Sequence, residues 1–119
     1  MDLARVAGVF ANRALFAATG LRPAGRALVR ALGSEDENVR TIAGMFLVRS
    51  GRRAEPVLEE ALARRENLPL VLTILGNIGS PESEEVLRQF ATDRDPEAAE
   101  AAREALEELQ EQQELSTAP

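Results

Sequence analysis

Leu28-Val29-Arg30-Ala31-Leu32-Gly33-Ser34-Glu35-Asp36-Glu37-Asn38-Val39-Arg40-Thr41-Ile42-Ala43 decides the fold of this chain. It begins as a helical pattern, with Ala27, Leu28, Ala31 and Leu32 on one side and Arg26 and Arg30 on the other. Gly33 stops that helix, and Ser34 with Glu37 has the spacing of a capping box for the next one. Val39, Ile42 and Ala43 then resume an apolar stripe. Two helices joined by so short a turn lie antiparallel.

Outward from this hairpin the same shape recurs. Leu15-Phe16-Ala17-Ala18-Thr19-Gly20, Leu47-Val48-Arg49-Ser50-Gly51 and Leu75-Gly76-Asn77-Ile78-Gly79 each end a helical pattern at a glycine, and another helix follows each. The stop glycines lie 31 and 28 residues apart. One helix pair per period of about 30 residues is the signature of a stacked α-solenoid, in which neighbouring units cover each other's apolar faces.

The helices follow in order. The first, about 3–19, places Leu3, Val6, Ala7, Phe10, Ala14 and Ala17 on one face, with Val9, Leu15 and Phe16 elsewhere on the wheel. Pro23 opens the second, about 23–32. The third, about 35–50, packs Val39, Ile42, Ala43, Phe46 and Leu47. The fourth, about 54–65, has Pro56 in its first turn and packs Val57, Leu58, Ala61 and Leu62. Asn67 and Pro69 open the fifth, which runs to Ile78 through Leu70, Val71, Ile74 and Leu75. Gly79-Ser80-Pro81 is a stop, a cap and a first-turn proline for the sixth, which packs Val86, Leu87 and Phe90. Asp95 and Pro96 start the last helix, which buries Ala98, Ala102, Ala105, Leu106 and Leu109; the polar tail after about Glu111 is expected to fray. No strand pattern interrupts this series.

The Leu28–Ala43 unit resembles the HEAT repeat in its short bacterial form. An Ala-Leu pair ends its first helix, an acidic turn and Val39-Arg40 begin its second, and Leu47 to Gly51 close it. Ala61-Leu62 with Leu75 to Gly79 repeats the pattern. A third copy has Asp93-Arg94-Asp95-Pro96-Glu97 before Ala101-Ala102 and Ala105-Leu106. The resemblance covers residues 20–109 and implies an all-α fold: a short right-handed α-solenoid of about three helical hairpins with an extra N-terminal helix. The family's arginine at the start of the second helix occurs once, as Arg40; Leu68 and Ala99 stand at the matching positions. The expected organisation is an apolar helix over 1–20, HEAT-like repeats over 21–111 and a polar tail over 112–119.

Composition narrows the function. The chain has no His, Cys, Trp or Tyr, so the commonest general base and the commonest metal ligands are missing. Asp93-x-Asp95-x-Glu97 lacks the glycine and the distant glutamate of a calcium loop and reads as a helix cap. Gly76-Asn77-Ile78-Gly79-Ser80 has no following Lys and no preceding strand, so it is not a phosphate loop. Neither catalysis nor a cofactor is expected. The apolar run at 3–19 is interrupted by Arg5, Asn12 and Arg13 and is too short to span a bilayer. The expectation is a cytoplasmic protein without a membrane span.

All fourteen basic residues are Arg. Residues 1–65 carry eleven of them against seven acids, and residues 66–119 carry three against thirteen, so the chain is charged asymmetrically from end to end. In HEAT-type stacking the second helices line a concave side. Aligned on the stop glycines, their outward positions are Phe10, Ala14 and Ala17; Thr41, Met45 and Val48; Leu72, Thr73 and Gly76; and Glu100, Glu104 and Glu107. This mostly apolar stripe marks another protein as the expected partner, bound as a segment or helix through Phe10, Ala14, Thr41, Met45, Val48, Leu72 and Thr73. Leu3, Val6, Val9, Phe10, Leu15 and Phe16 are more apolar surface than one neighbour can cover. A homodimer through the first helix, with Leu3, Val6, Val9, Phe10 and Phe16 in its interface, is the alternative. Arg22, Arg26 and Arg30, with Arg52, Arg53, Arg64 and Arg65, form a basic outer surface. A nucleic-acid role for it is disfavoured by the acidic total and by the lack of interleaved aromatics.

Overall fold

The computed structural model describes residues 3–19 and 22–117, with side-chain surroundings for all of these except 17–19. The described residues form seven α-helices and no strand: α1 (Leu3–Thr19), α2 (Arg22–Ala31), α3 (Glu37–Ser50), α4 (Glu55–Ala63), α5 (Leu68–Ile78), α6 (Pro81–Phe90) and α7 (Pro96–Thr117). A 3₁₀ turn, Gly51–Ala54, joins α3 to α4. None of the described helices is long and apolar enough to cross a membrane. The stop at Gly20 and the inward placement of Ala17 lie outside what is described.

The chain divides into two compact units, Met1–Asn67 and Leu68–Pro119. The boundary falls between α4 and α5. There α4 ends on a Schellman-type turn, with Arg65 N–H bonded to Leu62 O and Glu66 N–H to Ala61 O. Arg65 and Asn67 both take positive φ, of 57° and 50°.

In the first unit, α1 packs on both α2 and α3, and α2 packs on α3 and α4. Leu28, Leu32, Val39, Leu47, Val57 and Leu58 are fully or almost fully buried. Each such side chain contributes about 1.5–3 kcal/mol of transfer free energy. Phe16 joins them at 1% exposure, its ring lying where a Cβ on Gly25 would stand, 2.9 Å from Cε1. Gly25 is therefore required by the approach of α1 to α2. Val9 is buried as well. Both residues lie on a stripe of α1 covered within the chain, because α1 faces two helices rather than one.

The hairpin turn differs from the expected capping box. Asp36, not Ser34, is the N-cap of α3: its Oδ1 accepts from Asn38 N–H at 2.9 Å. Ser34 Oγ instead accepts from Asp36 N–H at 3.1 Å. Aspartate is as good a cap as serine, and here it stands immediately before the helix. Arg40 donates to Ser34 O at 2.7 Å and Glu35 O at 3.1 Å, and so ties α3 to its own turn.

In the second unit, α5, α6 and α7 each pack on the other two. Ser80 caps α6 as expected, its Oγ accepting from Ser83 N–H at 3.0 Å with Pro81 in the first turn. Asp95 Oδ1 accepts from Glu97 N–H and Asp93 Oδ2 from Asp95 N–H, so the acidic triplet serves as a turn and cap for α7. Gly76 sits directly against Ala105: a Cβ at Gly76 would lie 2.7 Å from that of Ala105. It is buried, not outward. The last helix continues past Glu111 to Thr117, and every residue from Gln110 to Thr117 is exposed.

Candidate functional site

The expected partner-binding residues separate into two groups. Phe10, Ala14, Thr41 and Met45 are exposed on the first unit, and Val48 is half-buried. Leu72 is the correction: it is completely buried and offers no surface. Its neighbour on the helix wheel, Leu68, is buried too, and Leu70, expected inside, is exposed instead. Thr73 is exposed, with its hydroxyl donating back to Pro69 O at 2.9 Å. Of the expected dimer residues, Val9 and Phe16 are withdrawn into the core, Val6 is half-buried, and Leu3 and Phe10 stay exposed.

What remains is a face built by α1 and α3. The Phe10 ring meets Phe46 edge-on, with centroids 5.0 Å apart and planes at 78°. Such pairs contribute about 0.5–1.5 kcal/mol beyond burial. The Arg13 guanidinium lies 5.3 Å from the Phe46 centroid, a cation–π placement that holds its charge at the surface. Phe46 itself is nearly buried, while Phe10 is 52% and Met45 49% exposed. Met45 and Arg49 are one turn apart and share a stripe of α3. Arg49 and Arg13 line one recess of about 260 Å³, completed by Ser50 and Arg53. Phe10 and Ala14 on α1 and Met45 on α3 are thus exposed apolar residues on the two helices that supply Arg13 and Arg49 to the recess, whose three arginines come from three elements. Ser50 Oγ donates to Phe46 O at 2.9 Å, so its hydroxyl proton is spent within α3.

The basic outer surface is less uniform than the sequence implies. Arg26 grips Glu60 with both Nε (2.8 Å) and Nη2 (3.0 Å), and Arg22 Nη1 reaches the same carboxylate at 3.4 Å. These bonds tie α2 to α4. The hydrogen bond from Arg26 holds the Glu60 carboxyl below the usual glutamate range; the charges of Arg26, Arg22 and Arg64 act in the same direction, against partial desolvation. Glu60 in turn raises the Arg26 pKa. Two of the expected phosphate contacts are thereby engaged in holding helices together. A second open recess, of about 330 Å³, lies between α1 and the α2–α3 turn. Arg5 Nη1 donates to Ser34 Oγ at its edge, at 3.5 Å.

Sequence reasoning missed the recess because it assigned Arg53 to the outer surface with Arg22 and Arg26. The usable signal was the Met45–Arg49 spacing, which puts an apolar and a cationic group on one stripe. Comparisons with protein-family models, curated proteins and solved structures returned no match.

Proposed function

We propose that this protein is a protein–protein interaction module, built as a short right-handed HEAT-like stack of helical hairpins. Its α1–α3 face receives an amphipathic helical segment with acidic residues at one end. The stacking part of the proposal draws support from packing between helices two apart in sequence: α1 with α3 and α2 with α4 in the first unit, α5 with α7 in the second. Repeats pack in this way.

The observation that carries the binding part is the exposure of Phe10 and Met45 on the two helices that supply Arg13 and Arg49 to the Arg13–Arg49–Arg53 recess. An apolar stripe of a partner helix would cover Phe10 and Met45, and a carboxylate one or two turns away would enter the recess. Arg with exposed aromatic and Met side chains is the composition of interface hot spots and adaptable grooves. Electrostatic attraction to the recess would set orientation and speed encounter.

A photoreactive residue at position 45, compared with one at the exposed Asn77, tests the reading. Adducts from position 45 should map to acidic amphipathic helices and should disappear in Phe10→Glu. Adducts from position 77 alone, or adducts at 45 unaffected by Phe10→Glu, would overturn it.

A further inference from the structure

The chain itself contains a segment with the chemistry this face requires. The buried stripe of α7 runs through Ala98, Ala102, Ala105 and Leu109. Opposite it, at helical spacing, stand Glu107, Glu111, Glu114 and Leu115, all exposed, with Leu115 at 77%. From Gln110 to Thr117 the helix has no buried residue. This two-turn extension, whose Gln112, Gln113, Ser116 and Thr117 edge a recess beside Asn77–Gly79 without being buried, gains little from packing within its own chain. Its stripe of carboxylates beside one leucine is the counterpart of Arg13 and Arg49, which line the recess on the helices that expose Phe10 and Met45. The charge balance points the same way. Met1–Asn67 has eleven Arg and eight acids, and Leu68–Pro119 has three Arg and twelve acids.

Resting on the reading of the α1–α3 face above, we infer that the face of one copy takes the end of α7 from a second copy. Glu111 and Glu114 enter the Arg13–Arg49–Arg53 recess, and Leu115 lies on the Phe10–Met45 strip. The two surfaces are different, so the contact is heterologous. It closes into a ring, the smallest being two copies that exchange α7 ends reciprocally, or continues as an open chain. This replaces like-charge repulsion between acidic ends with attraction, and it makes assembly sensitive to salt. Raising ionic strength from about 0.1 M to 1 M shortens the screening length from about 10 Å to 3 Å and should dissolve it.

Charge exchange between two full-length variants tests the inference. One carries Arg13→Glu and Arg49→Glu; the other carries Glu111→Arg and Glu114→Arg. By sedimentation, the wild type should show concentration-dependent masses above that of a single chain. Each variant alone should associate about tenfold more weakly or worse, because attraction has become repulsion. Mixed together they should reassemble, since each supplies the charge the other now needs. Arg49→Glu alone, which leaves Arg13 on Phe46, and Leu115→Asp should each weaken assembly with the helical signal intact. A wild type that stays monomeric at hundreds of micromolar, or a mixture that fails to reassemble, would overturn the inference. So would an assembly whose mass ignores the α7 reversals. None of these results touches the photocrosslinks from position 45 to another protein, so the two proposals fail separately.

Discussion

Gly76→Ala offers a prediction whose sign separates tertiary packing from local propensity. Gly76 lies in the last turn of α5, and nothing in its backbone demands glycine: its φ is not positive. On propensity alone, alanine would stabilise the helix by about 1 kcal/mol. The structure opposes this. The new Cβ would stand 2.7 Å from Ala105 Cβ and 3.5 Å from Ala105 Cα. Carbon atoms pack comfortably at about 3.5–4.0 Å, so α5 and α7 must separate by roughly 1 Å. Neither partner is the end of a long side chain that could swing away. Overpacking of this kind costs about 1–3 kcal/mol, which exceeds the propensity gain. We expect net destabilisation of about 1 kcal/mol, lowering the midpoint by about 4 °C for a chain of this size. Thermal and urea unfolding followed by circular dichroism would measure it. Ala105→Gly in the same chain should relieve the collision, so the double variant should be more stable than the sum of the single changes predicts. A Gly76→Ala protein that melts above the wild type would refute the close α5–α7 approach.

The remaining predictions concern the face, a cap and the α2–α4 clamp. Met45→Glu should leave stability within about 0.5 kcal/mol of wild type, whereas Leu47→Glu, two residues on at a fully buried position, should cost more than about 4 kcal/mol and abolish the helical signal. Loss of helix in Met45→Glu would mean that Met45 belongs to the core. Ser80→Ala removes the acceptor of Ser83 N–H and should destabilise by about 1 kcal/mol in urea titration. Glu60 has a lowered pKa in the folded chain, so its contribution is present above the unfolded value of about 4.3 and is lost as pH falls through the folded value. In acid titrations followed by circular dichroism, Glu60→Gln should therefore flatten the stability loss below about pH 4.3 and show its own deficit above it.

Much of the local structure is legible in the sequence because it rests on local chemistry. Ser80-Pro81 specifies a cap, Asp93-x-Asp95 a turn, and Leu28, Leu32, Val57 and Leu58 a buried stripe, whatever surrounds them. The errors arise where burial depends on how many neighbours a helix has. Val9 and Phe16 are apolar and off the main stripe of α1, which suggests a free surface. They are buried because α1 packs on α2 and α3 together. In α5 the same ambiguity exchanged Leu70 and Leu72. Leu, Val and Ile occupy most of that helix, so the wheel has no polar face to orient it. The cap of α3 moved from Ser34 to Asp36 because several acceptors compete within one short turn. The Arg13–Arg49–Arg53 recess brings together residues from α1, α3 and the 3₁₀ turn, and no spacing within a single helix encodes that.

The two methionines of the chain are Met1 and Met45, so ¹³C-methyl labelling of methionine places a probe at the centre of the α1–α3 face. The signal missing from a Met45→Leu sample identifies the Met45 methyl. With labelled chain held dilute and unlabelled wild type added, occupation of the face should shift or broaden that signal in step with the rise in mass. The Glu111→Arg/Glu114→Arg chain should leave it unmoved. A mass that rises while the Met45 methyl stays unchanged would show that association uses another surface, and would contradict the account.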